Sequence, residues 1–233
     1  MNRLEKIRQA EKASHEEAYG TYALFEKGSW LAKPVKTVLD ILPLLKDRAD
    51  LRALDLGCGV GRNSIPVARA FPGGRVDCVD ILPSAVEKLE ENAKEYGVEG
   101  AIRGIVSGID EFAVTPDGYD LILAISALEH MDSEETMGRK LEEICRGIRA
   151  GGIVCLVMNS GVREWDKATG RRLEPQFEVD LPTDVLQTLL RQTFTGWEIL
   201  KSTVVHQKYA IPRSGGMAEL ESDVVTLAAQ KKA

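Results

Sequence analysis

The chain has 233 residues, of which 44% are hydrophobic and 28% charged, and carries a formal net charge of −6. That length fits one α/β domain with a full core and is too short for two. The acidic balance, with Arg171-Arg172 and Lys231-Lys232 too short to form basic patches, excludes a broad nucleic-acid footprint, and no apolar run approaches membrane-spanning length.

The amino terminus is charged and has no apolar signal region, so a cytoplasmic location is expected. The expected partner is a small molecule, not nucleic acid or a membrane, with the chain a monomer or homodimer. Cys58, Cys78, Cys145 and Cys155 show no C-x-x-C pairing and fall mostly in apolar segments, which reads as reduced packing residues with no metal site.

Residues 2 to about 18 are helix-prone, with Leu4, Ile7, Ala10 and Ala13 as a thin apolar stripe. The stretch from Tyr19 to Leu31 concentrates aromatics, among them Tyr22 and Trp30. Two readings stand for residues 1–33: a lid over a small ligand, or a cap stapled to a domain over 34–233. Pro34 suits a first helical position, and Val35, Val38, Leu39 and Leu42 recur at helical spacing until Pro43.

Arg52 to Leu56 reads as an interior parallel strand, followed at once by Gly57, Gly59 and Gly61 and a helix from about Asn63 to Phe71. Arg75 to Asp80 is the second strand. Ser84 and Glu87 have capping-box spacing for a helix ending at Gly97. Strands are expected from Ala101 to Ser107 and from Tyr119 to Ser126. Asp132 and Glu135 repeat the capping spacing ahead of a stripe of Met137, Leu141, Ile144, Cys145 and Ile148. Gly151-Gly152 closes that helix before a fifth strand, Ile153 to Met158.

Residues 159–181 lack periodicity and read as a substrate-facing insertion. A helix from about Thr183 to Thr193 then precedes strands near Trp197 to His206 and Val224 to Ala229. The alternation predicts a seven-stranded, mostly parallel Rossmann-like sheet with helices on both faces, an antiparallel last strand and an N-terminal helical lid.

The glycine turn separates two cofactor chemistries. A dinucleotide fingerprint, G-x-G-x-x-G, wants glycine at position 62, which is Arg62, and Asp55 would repel a pyrophosphate. The D-x-G-x-G-x-G pattern starting at Asp55 instead resembles the first motif of class I S-adenosylmethionine-dependent methyltransferases. Trp30-Leu31 with Lys33-Pro34, and Gly118-Tyr119-Asp120-Leu121-Ile122 with Gly151-Gly152, resemble its small-molecule branch, which includes tellurite-resistance methyltransferases.

That resemblance implies S-adenosyl-L-methionine as cofactor and direct methyl transfer to O, N, S or a related atom. The donor would lie on Asp55, Gly57, Cys58, Gly59, Gly61 and Asn63. Asp80, 19 residues past the last glycine (80 − 61), is spaced to accept from both ribose hydroxyls, with Ile81 against the adenine. The family's acid after the third strand is replaced here by Gly108, which shifts adenine recognition to Ile109, Asp110 and the nearby backbone.

Ser126 to His130 is the segment that in the family passes beside the sulfonium. His130 reads either as a general base or as a lining residue. Tyr19, Tyr22, Trp30 and Arg163 are candidate acceptor contacts. The segment lacks the N/D-P-P-Y/F loop of nucleic-acid amino methyltransferases. A protein that binds the nucleoside without turning it over is the other open reading.

Overall fold

A computed structural model describes residues 3–213 and 216–232. Seven strands run in the order β3-β2-β1-β4-β5-β8-β7, and a two-residue strand, β6, pairs with β5. They are β1 (Arg52–Leu56), β2 (Arg75–Asp80), β3 (Ile102–Val106), β4 (Tyr119–Ile125), β5 (Ile148–Asp166), β6 (Arg172–Leu173), β7 (Glu198–Arg213) and β8 (Gly216–Gln230). β3, β2, β1, β4 and β5 are parallel, while β8 lies antiparallel between β5 and β7. The predicted parallel sheet with a reversed last strand is therefore what forms.

Helices cover both faces because the interior strands are apolar on both. Every residue of β4 is buried. One layer of core joins Ile65, Val67, Leu89, Leu121 and Cys155 under α2 (Lys36–Ile41), α3 (Ser64–Ala70) and α4 (Pro83–Glu95). The other joins Leu54, Ile122, Leu141, Ile144 and Leu186 under α5 (Glu134–Gly147) and α6 (Thr183–Thr193). The cysteines are free.

Several boundaries differ from the sequence reading for local reasons. α4 starts at Pro83 with Leu82 as its unbonded cap, and the Ser84 hydroxyl instead reaches Glu16, so the Ser84/Glu87 box does not form. Ser133, not Asp132, caps α5 by accepting from the Thr136 amide at 3.2 Å, and Asp132 pairs with Arg8. Pro34 stays outside α2, whose cap is Val35, and the chain tightens into a 3-10 turn over Leu42–Leu45 at Pro43.

Residues 159–166, expected in an insertion, continue β5 beyond the parallel sheet, where β8, itself paired with β7, and the short β6 pair with its backbone. Strand pairing overrides the missing periodicity there. The first helix, α1 (Arg3–Thr21), forms as expected, although Asn2 lies outside the described residues. Arg3 bonds Glu174 at 2.6 Å and Glu16 accepts from Ser84, so α1 spans from the segment after β6 to the start of α4. It thereby crosses the carboxyl ends of the central strands.

Candidate active site

Strand order reverses between β1 and β4, and open α/β sheets bind ligands at the carboxyl ends flanking such a point. The chain leaves β1 into the glycine turn, whose first two amides, Gly57 and Cys58, both donate to the Val79 carbonyl at 2.8 and 3.0 Å. Gly57 (φ +74°) and Gly59 (φ +52°) take left-handed backbone that a side chain disfavours. A Cβ on Gly57 would lie 2.5 Å from that of Ala127, so the turn packs directly against the segment after β4. A Cβ on Gly59 would meet Tyr19 and no other side chain or backbone within 4 Å, with the hydroxyl at 2.9 Å. Tyr19 of α1 therefore lies directly over the Gly59 backbone.

Asp80 ends β2 and ties this turn down. Its Oδ2 accepts from the Gly59 amide at 2.8 Å and its Oδ1 from the Leu82 amide at 3.0 Å. A carboxylate has roughly four acceptor positions, so both oxygens retain capacity for hydroxyl donors. Ile81 beside it is 58% exposed, an apolar side chain lying bare at the rim.

Asp55 lies behind the turn, 1% exposed, and its Oδ2 accepts from the Ser64 hydroxyl at 2.5 Å. Burial pushes its carboxyl up to about 7, against the opposing pull of the Ser64 bond and the Arg62 charge. Burial in turn lowers the Arg62 guanidinium, which donates to the Trp30 carbonyl at 2.9 Å and stacks over the Trp30 ring at 5.3 Å. Burial also raises the Cys58 thiol well above its usual range, which keeps it protonated. Asn63 uses its side-chain oxygen to accept from the Val35 amide at 3.0 Å, so it anchors the start of α2.

The remaining expected positions separate into those brought to the cleft and those left out. Ile109 reaches within 3.7 Å of the missing Gly57 Cβ, while a Gly108 Cβ would strike the Asp110 carboxylate at 2.6 Å. Ser126 is exposed at the end of β4 with φ +51°, a conformation uncommon for any residue but glycine. Tyr19, Trp30 and His15 form a ring cluster with centroids 5.7 to 6.0 Å apart. Tyr22 lies outside that cluster. Arg163 is exposed and reaches Glu221 at 3.8 Å, while its neighbour Glu164 is buried, so Arg163 is turned away from the inner face of the sheet extension. His206 sits on the surface against Asp223.

His130 ends a 3-10 turn, Leu128–His130, directly after β4. Its Nδ1 lies 2.9 Å from Oε2 of Glu178, and Phe177 stacks on the ring at 5.5 Å. A carboxylate only accepts, so this contact puts a hydrogen on Nδ1. Glu178 is buried, with Arg8 of α1 3.7 Å from its other oxygen. Sequence reading passed over Glu178 and Glu129, because acids in an aperiodic stretch and a short turn give no local sign of burial.

Comparison with known proteins agrees with this geometry. Residues 53–152 match the family described as "Methyltransferase domain". The chain is 32% identical over 107 residues to "(S)-coclaurine N-methyltransferase" of Thalictrum flavum subsp. glaucum, covering 44% of this chain and 29% of that one. It is 30% identical over 105 residues to "Ubiquinone biosynthesis O-methyltransferase" of Methylobacterium sp. (strain 4-46), covering 45% and 39%. The chain spans less than half the length of these curated relatives. The fold is similar to that of TehB from Haemophilus influenzae, with a TM-score of 0.63 at 20% identity, covering 85% of this chain and 62% of that one. In the matched domain, the sheet order and the glycine turn, the chain is similar to class I S-adenosylmethionine-dependent methyltransferases.

Proposed function

We propose that the chain transfers a methyl group from S-adenosyl-L-methionine to a small-molecule nucleophile, with His130 as general base. The observation that carries this reading is the left-handed glycine turn after β1, tied down by Asp80 and covered by Tyr19 of α1. When bound, the donor supplies a methyl group already activated on a sulfonium, so the protein has chiefly to align the partners and exclude water.

In this reading Asp80 accepts from the ribose hydroxyls, Ile81 and Ile109 border the adenine, and the Gly57–Gly61 backbone approaches the amino-acid end. Asp55 answers that end's ammonium from behind the turn. Glu178 holds the His130 ring, and Nε2 takes the proton of an acceptor that must lose one. α1 serves as the lid, with residues 1–33 as a cap on the domain formed by 34–233. The relatives named above, an N- and an O-methyltransferase, support a small-molecule acceptor.

Calorimetry with S-adenosylhomocysteine and with NAD tests the donor site: binding of the first and not the second is expected, and tight binding of NAD alone refutes the reading. A screen of small nucleophiles with labelled methyl donor tests turnover. A blank screen despite strong donor binding would instead favour a protein that holds the nucleoside without reacting it.

A further inference from the structure

Glu129 shares the turn that carries His130, and it is 1% exposed. One of its oxygens, Oε1, accepts from the Asn159 backbone amide at 3.0 Å and from the Asn159 side-chain amide at 2.8 Å. Asn159 is itself fixed by the Ser222 hydroxyl, which donates to its Oδ1 at 3.0 Å, and the Glu129 carbonyl accepts from the Val179 amide at 2.9 Å. β5, β8 and the segment before α6 thus clamp this carboxylate in one orientation. Its other oxygen, Oε2, is buried and has no hydrogen-bond partner among the described residues.

The two other acids buried in this region are compensated. Glu164 makes a two-pronged pair with Arg213 at 2.7 and 3.0 Å, and Glu178, whose Oε1 likewise has no hydrogen-bond partner among the described residues, is paired in charge with His130 and with Arg8 at 3.7 Å. Glu129 forms no ion pair among the described residues. A buried carboxylate without a counter-charge is strongly disfavoured, so Glu129 Oε2 is an acceptor position open to a donor brought by a ligand.

We propose, resting on the methyl-transfer reading above, that Glu129 binds the reacting group of the acceptor and that this group is a primary or secondary amine rather than a phenol or carboxylic acid. The charge flow decides between these. Methylating a neutral amine moves positive charge from sulfur onto nitrogen, which a nearby unneutralised carboxylate stabilises, whereas the same carboxylate repels a phenolate or carboxylate nucleophile. The ammonium arrives on Glu129 and gives one proton to Nε2 of His130. The nitrogen lone pair then forms the nitrogen–carbon bond, the electrons of the old carbon–sulfur bond stay on sulfur, and the product leaves as the methylated ammonium.

The test probes the full chain saturated with S-adenosylhomocysteine by thermal shift with benzylamine, phenol and benzoate, and separately measures labelled-methyl transfer from S-adenosyl-L-methionine to the same three with no S-adenosylhomocysteine added. Benzylamine alone is expected to raise Tm and accept label. Glu129→Gln keeps the acceptor oxygen facing Asn159; it should abolish the benzylamine shift and lower kcat/KM for the amine by about 10²-fold or more, with S-adenosylhomocysteine affinity unchanged. If that variant does not fold, wild-type selectivity among the three probes decides alone. Equal or better response to benzoate or phenol, no response to benzylamine, or a Gln variant that treats the amine as wild type does would each overturn the assignment of Glu129. Failure of S-adenosylhomocysteine to bind would bring down the methyl-transfer reading itself, and the calorimetric trace distinguishes that case.

Discussion

Asp80, spaced in the sequence to accept from ribose hydroxyls, also closes the glycine turn through the Gly59 amide. Asp80→Ala is therefore expected to weaken donor binding by about 1–3 kcal/mol through lost charge-assisted hydrogen bonds, measured by calorimetry with S-adenosylhomocysteine. An unchanged dissociation constant would remove it from the site. For His130, replacement by Ala should slow turnover by about 10²-fold or more with donor affinity intact, and Glu178→Gln should shift the pH profile of kcat by weakening the hold on Nδ1–H. A pH profile identical to wild type would reduce Glu178 to packing. His130 was legible as a candidate from its place after β4. Its partner was not, because 48 residues separate them and only the fold joins them.

The strand–turn–helix unit from β1 to α3 was readable because its signals are local: an apolar run, closely spaced glycines and a proline in the first turn of the helix. Gly59→Ala tests the unit as built, since it places a Cβ in left-handed backbone 2.9 Å from the Tyr19 hydroxyl. A loss of about 1–2 kcal/mol in stability is expected from the backbone alone, with a matching fall in donor affinity; denaturant unfolding and calorimetry check the two effects separately. The capping boxes were misread because Ser84 and Asp132 have long-range partners on α1, Glu16 and Arg8, that compete with the local cap. The long β5–β8–β7 extension was invisible for a related reason. Its β7 strand is exposed over most of its length, so no alternation of burial marks it, and its order comes from pairing with distant residues.

Across the whole molecule, the buried Asp55 imposes a pH signature. Its carboxyl is raised from 3.8 to about 7, so the folded state holds this proton more tightly than the unfolded chain. The stabilisation is fully present below about pH 4 and is lost as pH rises towards 7, on the order of 4 kcal/mol over the window. Asp55→Asn should remove this component: the stability difference between wild type and variant, from denaturant unfolding at pH 4.5 and pH 7.5, should move against wild type at the higher pH. A difference equal at both values would show that Asp55 does not titrate there.

At this scale the division between sequence and structure is clear. Hydrophobic periodicity and glycine spacing determined the parallel α/β sheet, its helices on both faces and the glycine turn after β1, since each depends on residues near one another in the chain. Tertiary structure alone decided that Tyr19 of α1 lies over that turn, that Glu178 meets His130 and that one buried oxygen of Glu129 has no hydrogen-bond partner among the described residues. Burial and pairing between residues far apart in sequence arise only when the sheet brings strand ends together.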